Sequence, residues 1–90
     1  MDRQKATDLL ELAARQGLPR AQEILTRWYS QGIYVETDLV RAYAWHAVIG
    51  ARGNDLHASR CEALEEIMSP DALKEAKELA ANYVRLYAKK

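Results

Sequence analysis

The chain has 90 residues, 49% apolar and 29% charged, with a formal net charge of +0. That length holds one domain with a modest core, and the composition is too apolar for a disordered segment. The charge balance argues against bulk nucleic acid or an anionic membrane as partner, and no apolar run approaches the roughly 18 residues that span a bilayer.

Glycine and proline divide the chain into five segments, with breaks at Gly17 and Pro19, from Gly32 to Glu36, at Gly53, and at Ser69 and Pro70. In the first segment Ala6, Leu9, Leu10 and Ala13 fall at i, i+3, i+4 and i+7, which predicts a helix with a buried apolar stripe. Its opposite stripe of Lys5, Asp8, Glu11 and Arg15 is polar, as suits an end helix without a preceding neighbour. The second segment, about 19–31, repeats the apolar pattern with Ala21, Ile24, Leu25 and Trp28.

The third, about 38–52, is different. Between Leu39 and Ile49 only Arg41 and His46 are plainly polar, so this helix needs neighbours on more than one side. Asp38 is placed to cap it. Small Ala42 and Gly50 permit close approach of neighbouring helices. The fourth, about 54–68, carries His57, Cys61, Leu64 and Met68 on one face. The fifth opens on "SPD" at 69–71, with Ser69 as N-cap, Pro70 at the first helical position and Asp71 favourable to the helix dipole. It buries Leu73, Ala76, Ala80, Tyr83 and Tyr87 and keeps a polar stripe through Lys74, Glu78, Asn82, Arg85 and Lys89. Sustained period-two alternation is missing throughout, so the fold class is all-α.

Gly17 and Gly53 lie one period apart. A shift of 36 residues sets "KATDLLELAARQG" (5–17) under "RAYAWHAVIGARG" (41–53). Leu9 then meets Trp45, Leu12 meets Val48, and Gly17 meets Gly53. Few pairs are identical, but the residue classes agree at packing positions, and a period in the mid-thirties marks a solenoid of helical pairs.

The stretch "AQEILTRWYSQGIYVETDLVRAYAWHAVIGARG" resembles the Sel-one-like repeat family, relatives of the tetratricopeptide repeat. That unit runs A-x-x-x-L-G-x-x-Y-x-x-G-x-G-V, an acidic turn, then K-A-x-x-W-x-x-x-A-A-x-x-G. Ala21, Leu25, Tyr29, Gly32, Val35, Asp38, Arg41, Ala42, Trp45 and Gly53 stand in register with it, and "IMSPDALKEAKELA" (67–80) is similar to a common bacterial closing unit. The resemblance implies a short right-handed α-solenoid of antiparallel helix pairs, about five helices: a partial repeat over 1–17, a full repeat over 18–53 and a closing helix pair over 54–90. Thr26 and Tyr34 replace family glycines, which predicts a looser helix contact and a deviating loop, because a bulky residue disfavours positive φ. His57 takes an alanine position and Glu65 a tyrosine position.

Catalysis needs convergent polar groups, and the sequence holds no phosphate loop, nucleophile elbow or paired metal-ligand spacing. His46 and His57 stand on different helices. His57 with Cys61 at i+4 gives two ligands, half a structural zinc site, so both are read as packing residues. Cys61 is alone, and a lone cysteine forms no internal disulfide. The aromatics Trp28, Tyr29, Tyr43 and Trp45 are assigned to the core.

The resemblance implies a non-enzymatic scaffold or adaptor that presents a helical surface to an unidentified protein or peptide, without cofactor, metal, nucleic acid or membrane. The alternatives are an accessory domain that binds a small ligand, or the stabilising C-terminal end of a larger repeat array. A monomer or weak homodimer is expected. "MDRQKATDLL" lacks the apolar run of a signal peptide, so a cytoplasmic location is expected, or a periplasmic one if a leader has been removed. In such solenoids the first helix of each pair lines the concave side. With Ala21, Leu25, Tyr29, Cys61, Leu64 and Met68 committed to packing, Glu23, Arg27, Ser30, His57 and Arg60 remain as candidate partner-binding residues.

Overall fold

Four short breaks separate five helices in a computed structural model of the protein, which describes residues 3–88. The helices are α1 (Arg3–Arg15), α2 (Pro19–Gln31), α3 (Leu39–Ala51), α4 (Asp55–Ile67) and α5 (Pro70–Tyr87), and no strand occurs among the described residues. Lys89, assigned to the polar stripe of the last helix, lies outside the described residues, as do the first two residues and Lys90.

Local chemistry sets the ends. Asp38 accepts from the Arg41 backbone N–H at 3.1 Å, and Ser69 from that of Ala72 at 3.2 Å. Asn54 caps α4 by accepting from the His57 N–H at 3.3 Å, a cap not among the sequence expectations. Each bond satisfies a donor that the first turn of a helix leaves without a partner. Gly17 and Gly53 end their helices with φ of 92° and 98°, which only a residue without Cβ adopts freely.

α3 is the hub. Its Ala42, Tyr43, Ala44, Trp45, His46, Val48 and Ile49 are all buried, because α2, α4 and α5 pack around it. Trp45 is fully buried, its ring 4.8 Å from that of Tyr83 and 5.5 Å from that of Tyr87. At Gly50 the backbones of α3 and α4 nearly touch: a Cβ there would stand 3.2 Å from the Ala58 nitrogen. α5 makes its main approach to α3 rather than to α4, and its end reaches α1. Arg52 ties those ends together by donating to the carbonyls of Gly17 at 3.0 Å and Tyr87 at 3.1 Å.

Three expectations are corrected. Glu11 does not belong to the outer stripe of α1; it is buried and accepts a 2.6 Å hydrogen bond from the Tyr29 hydroxyl. Leu9 is not in the buried stripe but 62% exposed, and Leu12 is 55% exposed. The buried face of α1 is instead Thr7, Glu11 and Ala14, where α2 packs. Tyr34 does not push its loop out of the left-handed conformation. It adopts φ of 63°, and its ring meets Trp28 edge to face at 5.0 Å, a contact available to a tyrosine and not to a glycine.

Thr26 stands in its glycine position on α2. It is buried, and its hydroxyl donates to the Glu23 carbonyl at 2.6 Å within the same helix. Among the described residues no helix is long and apolar enough to cross a membrane.

Candidate functional site

The capped start of α4 and the proline-led start of α2 aim the polar edges of these two helices at a shared cleft over α3. Glu23, Arg27, Ser30, His57 and Arg60 all line it, around a volume of about 250 Å³, with His46 of α3 beside them. The packing residues on the same helices meet the core as expected: Ala21, Leu25, Tyr29 and Cys61 are buried, and Leu64 and Met68 pack partly buried beside them.

Charge in the cleft is uneven. Arg27 and Arg60 enter no ion pair among the described residues. Glu23, about half exposed, stands opposite, its Oε1 3.8 Å from His57 Nε2. Ser30 is committed differently from the expectation: its hydroxyl donates to the Thr26 carbonyl in its own helix, which leaves only its lone pairs for a visitor.

The floor of the cleft is a histidine pair that spacing along one helix does not predict. His46 and His57 face one another with Nδ1 to Nδ1 at 2.8 Å and ring centroids 4.9 Å apart. Such a contact requires that one Nδ1 carry the proton and the other accept it. Burial, then the charge of His57 and of Arg60, pushes the His46 pKa down to about 4. Burial also lowers that of His57, with Glu23 acting against it and Arg60 with it. Both rings are therefore neutral at pH 7. The signal for this pair lay across a hairpin, not along a helix: folding α3 back on α4 about Gly53 sets His46 opposite His57 and Tyr43 opposite Cys61.

Cys61 packs as expected. It lies 3.7 Å from the Tyr43 carbonyl, to which its thiol donates weakly. Burial, with the nearby charge of Glu65, raises its pKa to about 11, which removes the thiolate that nucleophilic chemistry needs. Glu65, in its tyrosine position, accepts from the Tyr43 hydroxyl at 2.8 Å. Among the described residues no three histidine, cysteine or carboxylate side chains converge as metal ligands. Trp28 is half-buried against Tyr34, whereas Tyr29, Tyr43 and Trp45 are in the core.

No family model and no curated protein matches the sequence. Among solved structures, the chain is similar to c5321, a protective antigen present in uropathogenic Escherichia coli strains and displaying an SLR fold. The TM-score is 0.83 and the identity 32%, over 97% of this chain. The chain spans 19% of the length of that protein. With that likeness, and with Ala21, Leu25, Tyr29, Ala42 and Trp45 buried and Gly32 and Gly53 at helix ends, the chain has the Sel-one-like repeat fold.

Proposed function

We infer that this domain is a non-enzymatic protein-interaction module that takes an acidic segment of a partner into the cleft between α2 and α4. The observation that carries this reading is that Arg27 and Arg60, on different helices, border one cleft with no ion-pair partner among the described residues. A planar guanidinium binds a carboxylate through two parallel N–H bonds, and arginine is a frequent interface anchor for that reason. At about 250 Å³ the cleft suits one or two side chains better than a ligand that fills the roughly 300–1,000 Å³ of most small-molecule sites.

Fluorescence anisotropy with a labelled peptide carrying two glutamates tests it, with the matching glutamine peptide and free glutarate as the other arms. The expected result is saturable binding of the glutamate peptide alone. Equal binding of the glutamine peptide contradicts the reading, and tighter binding of glutarate favours a small-ligand domain.

A second reading is favoured by Leu9 and Leu12. They are mostly exposed, whereas Trp45 and Val48, one period later, are fully buried against α2 and α5. A further helix laid on α1 as α2 lies on α3 would cover them, and the chain would then be the end of a longer array. The two readings are compatible, because α1 contributes nothing to the cleft.

A further inference from the structure

We propose that His57, backed by His46, is a proton-coupled carboxylate receptor in this cleft, and that Glu23 holds the position which a partner's carboxylate takes. The proposal rests on the reading of the cleft as the docking place of an acidic segment and adds how docking is regulated.

The geometry gives each edge of the His57 ring a separate task. Nδ1 is turned inward to His46 at 2.8 Å, and Nε2 is turned to Glu23 at 3.8 Å. With both rings neutral, His46 Nδ1–H donates to His57 Nδ1, and His57 Nε2–H points at Glu23. When His57 gains a proton, the inner bond survives with its direction reversed. His57 Nδ1–H then donates to His46, which carries its own proton on Nε2. A second proton, on His46, would set two N–H groups face to face and break the bond. The pair therefore accepts one proton, and the added charge faces the cleft.

The charged groups around the pair set what lowers the cost of that proton. α2 contributes Glu23 and Arg27, α4 contributes Arg60, and no residue of α1 or α5 lines the cleft. The Arg60 guanidinium disfavours the imidazolium and Glu23 favours it. The contact with Glu23 is too long for a hydrogen bond, and the carboxylate is half exposed, so it can move aside. An incoming carboxylate cancels the excess positive charge of the arginines and gives Nε2–H an acceptor. Docking and proton uptake at His57 then favour each other by linkage.

Isothermal titration calorimetry of the full chain with the capped glutamate peptide, in two buffers of different ionisation enthalpy, reads both quantities. Affinity is expected to rise between about pH 7.5 and about pH 5.5, by at most about tenfold per pH unit, with net proton uptake, while the peptide's own carboxylates stay ionised. His57→Gln keeps binding but flattens the profile, and Glu23→Gln binds more tightly at neutral pH. If wild type and His57→Gln share one pH profile, the proposal is wrong and the docking reading stands. If no peptide binds at any pH, both are wrong. Should His57→Gln fail to fold, an NMR titration of the His57 ring in wild type decides: an upward shift on peptide addition supports the proposal, and an unmoved titration overturns it.

Discussion

The hydroxyl of Tyr29 donates a 2.6 Å hydrogen bond to Glu11 Oε1, which joins α2 to a carboxylate that is only 7% exposed. Arg15 and Arg41 stand at 3.7 and 3.8 Å, too far to hydrogen-bond it, and the second oxygen of Glu11 has no hydrogen-bond partner among the described residues. Tyr29→Phe removes the one close donor from a buried charge. Urea denaturation should show a loss of about 1–3 kcal/mol, and the double variant that adds Glu11→Gln should lose less than the sum of the two single changes. A Tyr29→Phe protein as stable as the parent contradicts this account of the α1–α2 contact.

Trp45 is the largest side chain with no exposure, and it is enclosed by Tyr83 and Tyr87 of α5. Trp45→Ala should cost roughly 3–5 kcal/mol, read from thermal or urea unfolding, because the cavity cannot be refilled where three helices meet. An unchanged melting temperature contradicts the placement of α5 on α3.

These two sites differ in how legible they were. Trp45 could be read from sequence because an uninterrupted apolar helix must be interior, and the 36-residue shift put it at a packing position. Glu11 could not, since a single glutamate in a polar-looking stripe is ordinarily solvated and its partner lies on another helix. The five helices and the cap residues Asp38 and Ser69 follow from local spacing and chemistry. The cleft-facing residues on α2 and α4 could be named by subtracting the packing positions. The His46–His57 contact, the buried Gln22 that donates to the Ala14 carbonyl, and the left-handed Tyr34 arise from pairings across helices and loops, which periodicity along one helix does not contain.

The buried histidines make stability depend on pH. Their pKa values are lower in the folded chain than the ordinary value near 6.5, so the folded state binds fewer protons than the unfolded one. The stabilisation is complete above about pH 6.5 and is lost as pH falls; for His46, whose pKa is about 4, the loss amounts to about 3 kcal/mol by about pH 4. Urea unfolding at stepped pH should show this decline, and His46→Gln should flatten it. A parent profile that is level between neutrality and about pH 4 contradicts the buried pair.

Leu9 and Leu12 lie outside the packed core, so Leu9→Ser with Leu12→Ser should change the unfolding free energy by no more than about 1 kcal/mol in total. Sedimentation at high concentration should show any self-association of the parent reduced in this variant. A large loss of stability would mean that α1 packs differently.

The docking account is tested most directly by reversing both arginines of the cleft. Arg27→Glu with Arg60→Glu alters two exposed side chains that have no ion-pair partner among the described residues, so the helical spectrum and melting temperature should be retained. The measurement is the affinity of the glutamate peptide for this variant and for the parent in the same buffer. The account predicts weaker binding by about 1–3 kcal/mol, the cost of lost charge-assisted hydrogen bonds. Equal affinity in a folded double variant would contradict it.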